Sequence, residues 1–304
     1  PAGEVARRRA MVVAPALLNA TLLFGIGAVT MTPDTPLLLF WTAVMWALGR
    51  LHATGDGRWW LIAGTAAGMA ALSKYSAALM APGILLWIAA IPALRPWLRR
   101  PPMYLAALIA FALFAPVVQW NANHDWASFV KQATRGGDAD VWRAFTYIGE
   151  LLAGQVGLAT PIIAVLCGAG MVLAVRRGTR EQPGWVLLAG LSAFPAIIFI
   201  QHALGERVQA NWPGIIYPAA AIAACGLGAG WQRWVRPGIA LGLVMTAVVW
   251  VQGALAPVAL PMRLDPTLLR LGGWTDVAQR VAAVAAREGA SFVASDNYGH
   301  AALL

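Results

Sequence analysis

Charge is what this chain has least of. Asp, Glu, Lys and Arg make up 12% of its 304 residues, where a soluble domain carries about a quarter. With 60% hydrophobic residues and a mean hydropathy of +0.66, that scarcity excludes a water-soluble globule, because lipid must solvate much of such a surface. Cysteine is nearly absent. Cys167 and Cys225 both lie in apolar runs without metal-site spacing, and read as small buried thiols. No internal repeat is visible, and no pair of Gly/Pro-broken spans recurs in two halves, as many transporters show. No signal peptide precedes the first apolar run. The chain opens on Pro1 and stops at Ala301–Leu304 just after an expected strand, so it reads as a fragment cut at both ends.

The charge that is present falls in a pattern. Basic residues occupy every second loop: Arg7, Arg8 and Arg9; Arg50 and Arg58; Arg95, Arg99 and Arg100; Arg176, Arg177 and Arg180; Arg233 and Arg236. These thirteen face only Glu4, Asp56 and Glu181, whereas the other loops hold nine Lys/Arg against ten acids. That is the positive-inside rule applied repeatedly. The formal charge of +9 is therefore a topology signal rather than a nucleic-acid footprint. It predicts a multi-pass membrane protein with its chemically interesting loops facing outward; Arg outnumbers Lys 20 to 2, a codon bias pointing to a bacterium, so the expected place is a bacterial inner membrane.

Apolar runs of about 20 residues suffice to cross the hydrocarbon. Nine are expected: Met11–Met31, Pro36–Leu51, a short pair at Trp59–Ser73 and Tyr75–Ala93, Met103–Trp120, Gly157–Val175, Trp185–Leu204, Pro213–Gly230 and Ile239–Val258. Trp59, Trp60, Trp97, Trp185, Trp231 and Trp234 sit at span ends on the basic side, as an aromatic belt does. Trp142–Glu150 reads as an amphipathic stretch along the outer interface. After Leu260 the composition changes. Thr275–Glu288 carries Val277, Val281, Val284 and Ala285 on one face, predicting an amphipathic helix. A strand is expected at Ser291–Ser295 and a turn at Asp296–Gly299. Residues 1–260 thus form a transmembrane domain, and 261–304 begin an extracytoplasmic α/β unit.

Four outer-face segments could carry chemistry. Asp34, in Thr32-Pro33-Asp34-Thr35-Pro36, sits in a stiff turn at the water–lipid boundary. It is either a helix N-cap or a carboxylate at the mouth of a membrane-embedded site. Lys74, one of two lysines, lies between apolar runs. It either snorkels from an outer turn or aims an ammonium at a lipid phosphate. Trp120-Asn121-Ala122-Asn123-His124-Asp125-Trp126 opens the longest outer loop. Two Trp bracketing amide and carboxylate groups suit a carbohydrate or anchor an interfacial helix. His202, Glu206 and Arg207 form a second outer cluster, in which Arg207 either pairs with Glu206 or grips a phosphate.

Asp34 before a span, Gly68 to Lys74, Trp120 to Trp126, and Asn211-Trp212-Pro213 with Tyr217-Pro218 together resemble bacterial members of the protein O-mannosyltransferase-like (dolichyl-phosphate-mannose-protein mannosyltransferase) superfamily. These are membrane glycosyltransferases of the GT-C fold, related to the lipid A aminoarabinose transferase. The resemblance covers nearly the whole chain. It implies an all-α polytopic GT-C-like fold and transfer of a sugar from a polyprenyl-phosphate donor to a glycan, lipid or protein acceptor on the outer face. It implies a catalytic acid in the first outer loop, expected upstream of Pro1, with Asp34 as the second acid near the donor. Lys74 would contact the donor phosphate, Arg207 would assist it, and Trp120, Asn121, His124, Trp126 and Asn211 would serve acceptor or sugar binding.

A lipid phosphate is already a good leaving group, so a cation for the developing charge and a carboxylate to deprotonate an acceptor hydroxyl suffice. A single displacement inverts the anomeric carbon. No cofactor is required beyond the lipid-linked sugar. A divalent metal is possible, but there is no acidic pair typical of a Mg²⁺-nucleotide site. Membrane lipids are expected partners and nucleic acid is not. Two other classes stay open: a lipid or solute transporter, although mid-span ionisable residues for ion coupling are almost absent, and a non-catalytic membrane assembly subunit.

Overall fold

A computed structural model describes residues 2–27, 32–134, 141–178, 182–261 and 274–295, with side chains from Arg8 onward. The expected turn at Asp296–Gly299, together with Arg135 and Arg180, lies outside them. The chain divides into two units, Pro1–Thr246 and Ala247–Leu304. That division falls upstream of the boundary at 260 suggested by composition. Among the described residues there are helices and no strands.

The helices are α1 (Ala2–Asn19), α2 (Leu22–Gly27), α3 (Asp34–Thr54), α4 (Arg58–Ser73), α5 (Met80–Ala90), α6 (Pro101–Ala122), α7 (Ala127–Ala133), α8 (Val141–Leu158), α9 (Pro161–Gly178), α10 (Pro183–Ala203), α11 (Tyr217–Ala224), α12 (Ala229–Gln232), α13 (Val235–Leu255) and α14 (Trp274–Arg287). Short 3₁₀ turns at Tyr75–Leu79, Pro92–Arg99 and Trp212–Ile216 join some of them.

The expectation of nine spans needs correction. Among the described residues five helices are long and apolar enough to cross a membrane: Asp34–Thr54, Pro101–Ala122, Pro161–Gly178, Pro183–Ala203 and Ala229–Leu255. A sixth is possible if Tyr75–Ala90 and Pro92–Arg99, bent by 116°, count as one. Hydropathy does not see where helices break. The first apolar run is interrupted between Asn19 and Leu22, where Thr21 turns its hydroxyl back onto the Leu18 carbonyl at 2.7 Å. With 16 residues, α4 is about 24 Å long, short of a ~30 Å core. The run at Pro213–Gly230 yields only the apolar helix Trp212–Ala224. The Trp142–Glu150 stretch is helical and continues to Leu158, with Trp142 and Phe145 exposed.

In the second unit the amphipathic helix forms as expected, as Trp274–Arg287. The strand at Ser291–Ser295 does not. A strand exists only as one side of a hydrogen-bonded ladder, and no partner lies among the described residues.

The arrangement that matters for function is the α3–α4 hairpin. Leu37, Trp41, Val44, Leu48 and Leu51 are buried at three- and four-residue intervals along α3, the stripe of a helix with one packed face. Gly55 ends α3 in the left-handed region at φ 68°, where its N–H reaches the Leu51 carbonyl. The next residue, Asp56, accepts the N–H of Arg58 at 2.9 Å where α4 starts. The turn is so short that α4 runs back along α3. The start of α3 and the end of α4 therefore lie at one end of the pair.

Close helix approach holds the rest. A Cβ on Gly64 would run into the backbone of Ala106 on α6, and Gly83 of α5 meets the backbone of Gly190 on α10, each facing the other's carbonyl. Such small-residue contacts replace the hydrophobic drive that lipid removes. Gly83→Val should therefore lower the thermal unfolding midpoint in detergent, at a cost of about 1–3 kcal/mol for overpacking. Gly168→Ala, where a Cβ meets open space, should leave it unchanged. An unaltered midpoint in Gly83→Val would refute the close α5–α10 approach.

Candidate functional site

Asp34 is the first residue of α3 and is buried. It does not cap the helix: Pro33 holds the N-cap position, without a side-chain cap bond. Both carboxylate oxygens are committed elsewhere. Oδ1 accepts from Lys74 Nζ at 2.7 Å, and Oδ2 accepts from Asn211 Nδ2 at 2.6 Å. Lys74 follows α4 in extended backbone (φ −163°, ψ 140°), so its side chain is released from the helix at the end where α3 begins. Its ammonium also lies over the Trp212 ring, 5.7 Å from the centroid. The Lys74 side chain is 23% exposed and that of Asp34 10%. Lys74 is thus held between Asp34 and the Trp212 ring rather than snorkelling freely, with part of its side chain still accessible.

Asn211 reaches Asp34 because its segment is pinned from α8. Gln155 Nε2 donates to the Ala210 carbonyl at 3.0 Å, while the Tyr217 hydroxyl donates to Gln155 Oε1 at 3.1 Å. Gln155 carried no signal in the sequence. It is one polar residue in an apolar stretch, and only the fold shows that its partners come from the 210–217 region.

The Trp120–Trp126 segment is tied to the position next to Lys74. The Tyr75 hydroxyl shares a 2.7 Å hydrogen bond with Ser128 Oγ. Ser128 Oγ donates onward to Asn121 Oδ1 at 2.6 Å, so Tyr75 supplies the proton to Ser128. Asn121 is fully buried; its Oδ1 also accepts the Ser128 N–H at 3.2 Å, and its Nδ2 donates to the Val117 carbonyl at 2.9 Å. Its amide therefore organises the loop rather than facing outward. Asp125 and Trp126 take left-handed backbone at φ 51° and 55°, uncommon for non-glycine residues and concentrated where surrounding structure enforces it. The Trp126 N–H is clamped by the Asn121 carbonyl at 2.8 Å.

That fold presents rings outward. Trp120 and Trp126 remain 49% and 46% exposed. His124 stacks on Trp120 with centroids 4.2 Å apart, and its Nδ1 lies 2.7 Å from the Trp120 carbonyl. A carbonyl only accepts, so Nδ1 carries the proton and Nε2 is the acceptor nitrogen of the neutral ring.

Arg207 is placed differently from the sequence reading. It makes a two-point contact with Glu150 of α8, at 2.8 Å to Oε1 and 2.6 Å to Oε2, and lies over Tyr147. It does not pair with Glu206. Glu206 Oε2 instead approaches His202 Nε2 at 3.6 Å, and the His202 ring lies 5.9 Å from that of Trp212. Three of the expected residues, Asp34, Lys74 and Asn211, thus converge directly. Trp120, Asn121, His124 and Trp126 form an adjoining loop cluster, and Arg207 sits on its own ion pair. Among the described residues no three His, Cys, Asp or Glu side chains gather as a metal site.

Comparison with known proteins agrees with the resemblance. Residues 2–120 match the family model described as dolichyl-phosphate-mannose-protein mannosyltransferase, a stretch containing both Asp34 and Lys74. The chain is also similar to the lipid A galacturonosyltransferase RgtD of Rhizobium johnstonii, 26% identical over 256 residues. That similarity covers 78% of this chain and 50% of the relative, so the chain spans about half the length of the curated relative it matches. No solved structure matches. Both matches are to enzymes that transfer sugars, and the apolar helices are those of a multi-pass membrane protein.

Breaking the ion pair from one side leaves an uncompensated buried charge, which is more damaging than removing both charges. Lys74→Met should cost about 3 kcal/mol of stability, and Asp34→Asn/Lys74→Met distinctly less. Thermal unfolding of the three proteins checks this. A double variant no more stable than Lys74→Met would mean that the two groups are not coupled.

Proposed function

We propose that the chain forms the catalytic membrane portion of a glycosyltransferase that takes its sugar from a polyprenyl-phosphate donor on the extracytoplasmic face. The observation that carries this reading is the convergence of Asp34, Lys74 and Asn211 at one end of the α3–α4 hairpin, two of the three within the family match. Lys74 is a compact cation held in a partly buried position, suited to a phosphate. Before donor binds, Asp34 holds it in place at 2.7 Å. A donor phosphate competes for the ammonium, and charge building on the leaving phosphate strengthens that contact in the transition state.

As Lys74 shifts toward the phosphate, Asp34 Oδ1 is released from its hydrogen bond while Oδ2 stays held by Asn211. Oδ1 is then placed to take the proton of an acceptor hydroxyl. In a single displacement the acceptor oxygen bonds to the anomeric carbon as the bond to the phosphate oxygen breaks, with inversion. Trp120, His124 and Trp126 offer ring faces and an imidazole acceptor nitrogen to the sugar or acceptor, with Asn121 holding their loop. Arg207, already paired with Glu150, has a secondary role at the donor phosphate. An acceptor of the lipid or glycan class accords with the similarity to a lipid A galacturonosyltransferase.

The test uses the full-length parent protein in detergent with a mixture of polyprenyl-phosphate sugars, scoring transfer and donor hydrolysis. Lys74→Ala and Asp34→Asn should each lose about 100-fold or more in turnover, the scale for removing one charge-stabilising group. Arg207→Ala should lose less than about tenfold, in keeping with an exposed ion pair. Wild-type turnover in both site variants would remove Asp34 and Lys74 from the chemistry. Donor translocation across vesicles without transfer would replace the enzyme with a transporter.

A further inference from the structure

At the other end of the same hairpin lies a group of cations with which no carboxylate among the described residues forms an ion pair. Arg50 lies sixteen residues after Asp34 on α3, about 24 Å along the axis. Its guanidinium sits over the Trp59 ring at 5.2 Å, and Trp46 meets Trp59 edge-on at 4.9 Å. Beside it, Arg100 lies over Trp97 at 4.8 Å, and Trp97 meets Trp60 at 6.3 Å. Trp59 and Trp60 are neighbours in the first turn of α4, so the two stacks flank one helix start. Arg58 opens that helix and is exposed.

Among the described residues no carboxylate pairs with Arg50, Arg58 or Arg100. The nearest acid in sequence, Asp56, is engaged with the Arg58 backbone N–H. The 116° bend after α5 lays Pro92–Arg99 across this end, with Leu94 and Trp97 buried and Arg95 and Arg99 exposed, the arrangement of an interfacial helix.

We propose that this collar binds the headgroup of an anionic phospholipid in the leaflet facing away from the Asp34–Lys74 pair. The charge requires an anion, and stacking on indole faces holds the guanidiniums in place while leaving their planar N–H edges available to a phosphate. Apolar surface beside the collar selects a lipid rather than a soluble ion: Trp46, Leu98, Tyr104 and Leu105 are all large and exposed, offering the acyl chains a lining. Basic clusters at a membrane surface are worth about 1 kcal/mol per Lys or Arg, close to fivefold in affinity.

The full-length protein in zwitterionic detergent is titrated with dioleoyl phosphatidylglycerol or dioleoyl phosphatidylcholine, reading thermal midpoint and lipid adducts by native mass spectrometry. Phosphatidylglycerol should raise the midpoint and persist as an adduct, and phosphatidylcholine should do neither. Half-saturation should weaken about 25-fold in Arg50→Gln/Arg100→Gln. Arg58→Gln, which removes charge without disturbing a ring stack, should weaken it about fivefold. Equal response to the two lipids, or wild-type half-saturation in both variants, would overturn the site. Protection by glycerol 1-phosphate at equal concentration would overturn the lipid assignment in favour of a soluble phosphate.

Discussion

The ion pair between Asp34 and Lys74 is the constraint on which the rest of the site turns. A carboxylate and an ammonium removed from water each carry a desolvation cost of several kcal/mol, offset only when geometry is good and the remaining hydrogen-bonding capacity is met. Here the Asn211 amide meets the second carboxylate oxygen and the Trp212 face meets the cation. Three stretches of chain, around residues 34, 74 and 211, must therefore be held together, and the surrounding helices do that. The turn at Gly55–Gly57 returns α4 along α3, and Gln155 ties the strip before Asn211 to α8.

Such a pair is weak evidence for stability, since apolar residues of similar volume often do as well. Here both carboxylate oxygens are engaged while the Lys74 side chain stays 23% exposed, which leaves the cation able to meet a second partner. The ammonium has a resting partner in the Asp34 carboxylate, and in the proposed reaction an incoming phosphate exchanges for that partner. An Asp without Lys74 would face a phosphate across like charge.

How much of this could be read from residues alone depends on the kind of information needed. Asp34 and Lys74 stood out because polar groups beside hydrocarbon are rare, and alternating basic loops put them on one side. Their contact follows from two adjacent helices joined by a three-residue turn. Asn211 entered through a motif resemblance. Gln155, Ser128 and Glu150 did not enter as site residues at all, because each acts on a partner far away in sequence or in an irregular loop, and periodicity carries no trace of that. Arg207 was assigned to its sequence neighbour or to phosphate, whereas its carboxylate comes from α8, 57 residues earlier. The helical class was legible from apolar content. The number of spans was not, since a window of hydropathy reads through the break after Asn19 and the bend at Ile91, which local hydrogen bonding and proline decide.

The α3–α4 hairpin also separates two kinds of charge. At one end Asp34 and Lys74 pair with each other; at the other, among the described residues, no carboxylate pairs with the arginines stacked on indoles. Both ends are set by the same two helices, whose length cannot change without moving one end relative to the bilayer. An unpaired basic end is favoured where lipid phosphates are available as counterions, and it resists being drawn into the hydrocarbon. If that end is fixed at headgroup level, the Asp34–Lys74 end lies about 24 Å away along α3, within rather than beyond a ~30 Å hydrocarbon layer. In the proposed reaction that depth suits a donor whose phosphate stays near the interface while its polyprenyl chain remains in lipid, and it accords with a Lys74 side chain held between Asp34 and the Trp212 ring instead of standing on a soluble loop.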